Sequence, residues 1–158
     1  MPSLNLTHHP QRQGADCLAA CAWMALDFVG VYIRYERLLQ LLKVRQGSGA
    51  SFLNLALLES HFNSLSVVIA REYDDPMGLL ETYLVNSYPV LASVHTIDLP
   101  YWAGEAVDHA VVIAGLDEAT LLIYDPWFTA APQTVASIQF ESAWMRHTFL
   151  YAIITKRA

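Results

Sequence analysis

The sequence predicts an α+β fold in which a helical N-terminal half packs on a C-terminal, mostly antiparallel β-sheet. Three observations carry this expectation. Long apolar segments with helical spacing crowd the chain before residue 86. From Pro89 onward short β-rich runs replace them, "PVLASVH", "DHAVVIAG" and "TLLIYD". Cap and turn residues then punctuate both halves at intervals that suit short elements.

Taken in order, residues 1–15 read as an irregular lead-in. Asp16 is expected to cap a helix from Cys17 to about Val29, stopped by Gly30. A second helix is expected over about Tyr35–Lys43, with Leu38, Leu39, Leu41 and Leu42 as its apolar residues. "RQGSGA" at 45–50 is a loop, after which Ser51 caps a third helix to about Phe62. "LSVVIA" at 65–70 is a short strand. Asp75 and Pro76 make a good helix start for residues 74–87. After the three β-runs, a short helix is expected around Phe140–Trp144, and "HTFLYAIIT" at 147–155 forms a last strand.

Composition narrows the class. At 158 residues the chain is most simply a single domain over 1–158, with enough length for a sizeable core. Hydrophobic residues make up 54% and charged ones 15%, which excludes a disordered chain. The net charge of −6, with no cluster of Lys and Arg, argues against nucleic-acid or anionic-membrane partners. The longest apolar stretch, Leu18 to Ile33, is interrupted by Asp27 and falls short of the ~20 residues that span a bilayer. No secretory signal core precedes it. Cys17 and Cys21 are spaced for one helical face and poorly oriented for a disulfide. A cytoplasmic protein, not inserted in a membrane, is the expectation.

The chemistry turns on Cys17. At a helix start, free backbone N–H groups and the helix dipole favour negative charge, which suits a thiolate nucleophile. A small buried hydrophobe is the other reading of the same residue. Cys21, one turn further in among Ala20, Ala22 and Met24, reads as core. A thiol nucleophile needs a base, and the base needs an orienting group. His109 opens one β-run and Asp125 closes the next. If the two runs form a hairpin around "LDEAT", the start of the first lies beside the end of the second. A carboxylate can then fix the imidazole's tautomer and favour the imidazolium. An oxyanion donor is also needed, and spacing alone leaves Gln11 and Gln13 both open.

Gln11, "DC" at 16–17, Cys21, His109 and Asp125-Pro126 together resemble the bacteriocin-processing cysteine peptidases of the papain clan, which cleave leader peptides after a double glycine. "GSGASFLNLALLESHFN" at 47–63 also resembles that family's middle segment, and the similarity runs from about Gln11 to Ile154. The resemblance implies a papain-like cysteine peptidase fold. It makes Cys17 the nucleophile, His109 the general base and acid, and Asp125 its orienting partner. Gln11, with the Cys17 backbone N–H, becomes the oxyanion hole. Trp127 is expected to shield the His–Asp bond, or to pack as an ordinary core aromatic. The loop "DLPYWAGEAVDH" is expected either to border the cleft, with Trp102 and Asp108 against an extended peptide, or to be only a packed surface loop.

The family it resembles usually has glycine after the nucleophile, whereas Leu18 stands here. Leu18 therefore lies where a substrate backbone approaches, and the double-glycine preference is open. The expected activity is thiol-dependent cleavage of an extended peptide after small residues, in a glycine-rich leader or tail. The competing reading is a papain-like module that grips peptide without cutting it. No transporter follows Ala158, so a stand-alone domain, associating if at all with a separate exporter, is expected. No cofactor is expected. His8, His9, His61, His95 and His147 lack the spacing of a structural zinc site, so no metal is expected either.

Overall fold

The computed structural model describes residues 3–158; the first two positions of the expected lead-in lie outside them. Helix α1 spans Cys17–Phe28. It is buried nearly all round, through Ala19, Ala20, Cys21, Ala22, Met24 and Leu26, as a helix without a polar face must be. Its small residues let it lie close against the sheet. Gly30 ends it in the left-handed region at φ 81°, where glycine carries no Cβ penalty. Asp16 sits at the N-cap position, but its carboxylate makes no cap bond. Instead it is buried and accepts a hydrogen bond from the Tyr35 hydroxyl at 2.9 Å.

Helix α2 spans Tyr35–Leu41, slightly shorter than expected. The third expected helix divides into a 3₁₀ segment, Phe52–Ala56, and helix α3, Leu57–His61, with Ser51 accepting from the Leu53 N–H. Strand β1, Leu65–Arg71, precedes helix α4, Pro76–Val85, which Asp75 caps by accepting from the Gly78 N–H at 3.1 Å. Strands β2, Val90–His95, β3, Asp108–Leu116, and β4, Thr120–Tyr124, fall where the β-runs predict them. Strand β5, Gln133–Ala136, was not expected. Helix α5, Ser137–Met145, is longer than expected, and strand β6 is Leu150–Lys156.

The six strands form one sheet in the order β1-β6-β2-β3-β4-β5, and every pairing between them is antiparallel. Alternate residues of each strand enter opposite cores, as the pleat dictates. Leu91, Ala110, Val112, Tyr124 and Ile154 pack against α1, α2 and α3. Val90, Val94, Val111, Ile123 and Ile153 pack against α4 and α5. The sheet thus has helices on both faces rather than only beneath an N-terminal half. None of the described helices is long and apolar enough to cross a membrane.

One irregularity positions the site. The β3–β4 register runs Leu116↔Leu121 and Gly115↔Leu122, then shifts by one residue to Ile113↔Ile123 and Val112↔Tyr124. Continued past Tyr124, the shifted register sets Asp125 across from Val111, on the sheet face that His109 also shares. Without the bulge Asp125 would stand across from Val112, on the opposite face. Gly115 allows the close approach there, since an added Cβ would lie 3.0 Å from Leu122 Cδ1.

Candidate active site

Cys17 is the first residue of α1 and is half-buried, whereas Cys21 is fully buried in the core beneath it. Burial, with the negative charges of Cys17 and Asp125 adding to it, pushes the Cys21 thiol well up. The two cysteines are therefore chemically distinct.

His109 lies at the start of β3, buried, and its Nε2 meets Asp125 Oδ1 at 2.7 Å. That leaves Nδ1 for Cys17. Burial pulls the imidazole's pKa down, but hydrogen bonds to Asp125 and Cys17 and their negative charge outweigh it, raising it from 6.5 to about 9. Asp125 has no exposed surface. Burial alone would raise its carboxyl, yet hydrogen bonding and the charge of His109 hold it below the usual range.

Four donors converge on that carboxylate. Oδ1 accepts from His109 Nε2 and from the Trp127 backbone N–H at 3.0 Å. Oδ2 accepts from the Tyr101 hydroxyl and from Trp102 Nε1, both at 2.9 Å. These fill its acceptor positions, and a buried carboxylate so bonded is fixed in place. The sequence reading missed the Tyr101 and Trp102 bonds. The signal available was the pair "YW" itself, because a buried tyrosine or tryptophan finds a partner for its polar tip.

The aromatic residues divide their tasks. Trp102 is buried, meets the His109 ring edge-on at 5.0 Å and stacks on Trp127 at 5.7 Å. Trp127 is 48% exposed. The buried indole beside the His–Asp bond is therefore that of Trp102, with Trp127 forming an outer layer over it. Thr96 anchors the loop that carries them, accepting from the Val107 N–H and donating to the Glu105 carbonyl.

Two cavities meet at Cys17. One, of about 270 Å³, runs between the 47–52 loop and the ends of β2 and β3, with Leu18, Asp108 and His109 among its lining residues. Leu18 is nonetheless a core residue, only 3% exposed. Gly49 closes the loop on the helix start, where an added Cβ would lie 3.1 Å from the Ala15 carbonyl. The second cavity, of about 220 Å³, is lined by Trp102, Glu105, Asp108 and Trp127.

Gln11 lies just outside both, in a shallow cavity that shares Gly14 and Trp127 with the second. Its backbone N–H donates to the Pro126 carbonyl at 2.8 Å, tying the lead-in to the segment after Asp125. The side-chain Nε2 donates one proton to the Gln13 carbonyl, leaving a second to give, while Oε1 is buried without a hydrogen-bond partner. Arg12, stacked over Tyr35 at 4.5 Å and paired with Glu36 at 3.1 Å, pins the same segment to α2. The structure thus joins His109 to Asp125, places Cys17 with His109 in the lining of both cavities, and leaves Gln11 in the adjoining one.

Solved structures share this architecture. The fold matches a structure described as a C39-like peptidase from Bacillus anthracis, with TM-score 0.76 and 17% identity, over 98% of this chain and 96% of the other. The peptidase domain of Streptococcus ComA, a bifunctional ABC transporter of a quorum-sensing pathway, matches with TM-score 0.76 and 18% identity, over 97% and 100%. A double glycine motif protease from an AMS/PCAT transporter, solved with its leader peptide, matches with TM-score 0.70 and 18% identity, over 99% and 94%. At such identities the likeness is one of fold, and that fold is papain-like. No protein of curated function matches the sequence. The Peptidase C39 family profile matches residues 5–156, and the chain belongs to that family.

Proposed function

We propose that residues 1–158 act as one cysteine peptidase domain that cleaves an extended peptide after small residues, in a glycine-rich leader or tail. The observation that carries this reading is the half-buried Cys17 at a helix start beside an imidazole whose far nitrogen is held by a fully bonded, buried carboxylate. Cys17 is the nucleophile, His109 the proton carrier, Asp125 the residue that orients it, and Gln11 Nε2 with the Cys17 N–H the oxyanion donors.

The Cys17 thiolate attacks the scissile carbonyl carbon, and charge moves onto the carbonyl oxygen beside those donors. His109, as imidazolium, gives its Nδ1 proton to the leaving amine while the C–N bond breaks, leaving a thioester. Water then attacks the thioester, His109 takes a proton from it, and the C–S bond breaks. This restores the thiolate and the imidazolium. The substrate class is supported by family membership and by the leader peptide bound in the transporter protease. A cytoplasmic setting, where thiols stay reduced, suits this chemistry.

The test incubates the protein with peptides carrying Gly-Gly or Gly-Ala before a reporter segment, and reads products by mass spectrometry. Cleavage after the small residues, absent in Cys17→Ala and His109→Ala, is the expected result. If peptides bind but none is cut, and Cys17 alkylates no faster than a free thiol, the chain is instead a non-cleaving peptide-docking module.

A further inference from the structure

The cleft beside Cys17 holds a second polar array that the peptidase chemistry does not use. His147, in the turn between α5 and β6, places Nε2 2.8 Å from Asp108 Oδ1 and Nδ1 2.6 Å from Ser93 Oγ. Ser93 on β2, Asp108 at the start of β3 and His147 all line the cavity that opens at Cys17. The carboxylate can only accept, so a neutral His147 carries its proton on Nε2 and receives the Ser93 hydroxyl proton at Nδ1. Asp108 Oδ2 is left without a hydrogen-bond partner among the described residues.

Position and exposure differ sharply within the array. Ser93 is buried and the His147 side chain is 21% exposed, yet the Asp108 side chain is 78% exposed. The residues that follow His147, Thr148 and Phe149, both adopt left-handed backbone, at φ 54° and 56°. Such conformations persist where the surroundings over-determine them, and these fix the turn that presents the imidazole. Asp108 is thus an exposed carboxylate with a held orientation, one residue from His109 and lining both cavities that meet at Cys17. Glu105 adds a second carboxylate to the smaller cavity; among the described residues neither cavity is lined by Lys or Arg, and the His109 imidazolium that lines both is already paired with Asp125.

The geometry points to a specificity subsite in which Asp108, oriented by His147 and Ser93, takes a basic side chain of the peptide at a position flanking the cut. This rests on the peptidase reading for the placement of the peptide, but not for the recognition itself. A cavity of about 270 Å³ holds one or two side chains rather than a larger ligand. Lys or Arg brought there pairs with Asp108 Oδ2, and the bound peptide covers a carboxylate that is exposed in the free protein.

The test separates recognition from chemistry by using the Cys17→Ala chain. Fluorescein-labelled decapeptides centred on Gly-Gly carry Lys, norleucine or Glu at each of the four positions on either side, and binding is read by anisotropy. Lys is expected to bind roughly five- to tenfold tighter than norleucine at one position, with Glu the weakest. Asp108→Asn should bring the Lys-to-norleucine ratio to within about twofold, and Asp108→Glu should restore part of it. Ser93→Ala, which frees His147, should lower the ratio partway; His147→Asn is the second variant if the first does not fold. No Lys preference at any position, or a preference that Asp108→Asn leaves unmoved, overturns the subsite. Selective binding without cleavage by the unmodified protein supports the subsite and removes the peptidase reading instead.

Discussion

Asp125→Asn tests the proposed role of the buried carboxylate, because its outcome follows from counting donors. The asparagine amide has one accepting atom and one donating group where the carboxylate had two accepting oxygens. If the NH₂ faces the Oδ2 side, Tyr101 can rotate its hydroxyl to accept, but the Trp102 indole N–H meets another donor. If it faces the Oδ1 side, the Trp127 N–H is orphaned and His109 Nε2 must become an acceptor. Either way one donor-only group is buried without a partner, at a cost of about 1–3 kcal/mol. For a chain of this size that lowers Tm by roughly 3–10 °C.

The chemical consequence is larger. Removing the Asp125 charge leaves burial as the dominant influence on an imidazole now held at about 9, so it falls toward or below its ordinary 6.5. At pH 8 that change cuts the imidazolium fraction roughly thirtyfold. Iodoacetamide alkylation of Cys17, followed by peptide mass spectrometry, reads the ion pair directly, and buried Cys21 serves as the unreactive internal reference. A thiol of ordinary pKa, about 8.5, is already about a quarter thiolate at pH 8 but only about 3% at pH 7, so Asp125→Asn should alkylate at least fivefold more slowly than the unmodified protein at pH 7, and the gap should narrow toward pH 9. Rates within a factor of two between pH 6 and 9 would refute the argument that Asp125 sustains the imidazolium.

Gln11→Ala should lower kcat/KM for peptide cleavage by about 10²–10³, because it removes a donor to the developing oxyanion. Iodoacetamide displacement forms no oxyanion, so the alkylation rate of Cys17 should not change; a parallel loss in both assays would place Gln11 in another role. Leu18→Gly, which restores the glycine of the family pattern, should destabilise the fold by about 3–5 kcal/mol, since Leu18 is buried inside a helix. A urea midpoint shift near zero would show that residue 18 is not part of the core. Thermal stability should also depend on pH through the His109–Asp125 pair. The raised His109 value means its contribution is full below about 6.5 and fades as pH rises through about 9. The lowered Asp125 carboxyl contributes above the usual carboxylate range and fades as pH falls through its depressed value. A Tm profile from pH 3 to 10 should show both flanks in the unmodified protein and a weaker alkaline one in His109→Gln.

Much of the architecture was legible because it rests on local signals. Asp75-Pro76, Ser51 and Gly30 each act within a turn of their own position, and each lies at an element boundary. The difference between Cys17 and Cys21 was legible for the same reason, since helix start and helix interior are sequence positions. Asp16 shows the limit of such signals. Its residue type suits a cap, yet the Tyr35 hydroxyl, nineteen positions away, captures the carboxylate. Strand β5 was hidden because Gln133 and Thr134 interrupt the apolar pattern on a strand at the sheet edge, where a single face is buried. The turn holding His147 was hidden too, because two consecutive left-handed residues at Thr148 and Phe149 carry no glycine to announce them.

The His109–Asp125 pairing shows why a correct expectation can rest on an incomplete argument. A hairpin around "LDEAT" brings the two residues near each other along the strands, but closeness along a strand does not choose the face. In an unbroken ladder Asp125 would continue opposite Val112 and enter the core with Tyr124's neighbours, while His109 pointed to the other side. The extra residue between Ile113 and Gly115 reverses that parity for everything beyond it. Once on the His109 face, Asp125 also meets the loop of residues 96–107, and only there can Tyr101 and Trp102 reach it. Three of the four hydrogen bonds to the carboxylate, those from His109, Tyr101 and Trp102, therefore hang on one bulge, and the glycine at that bulge, packed against Leu122, is where register and chemistry are joined.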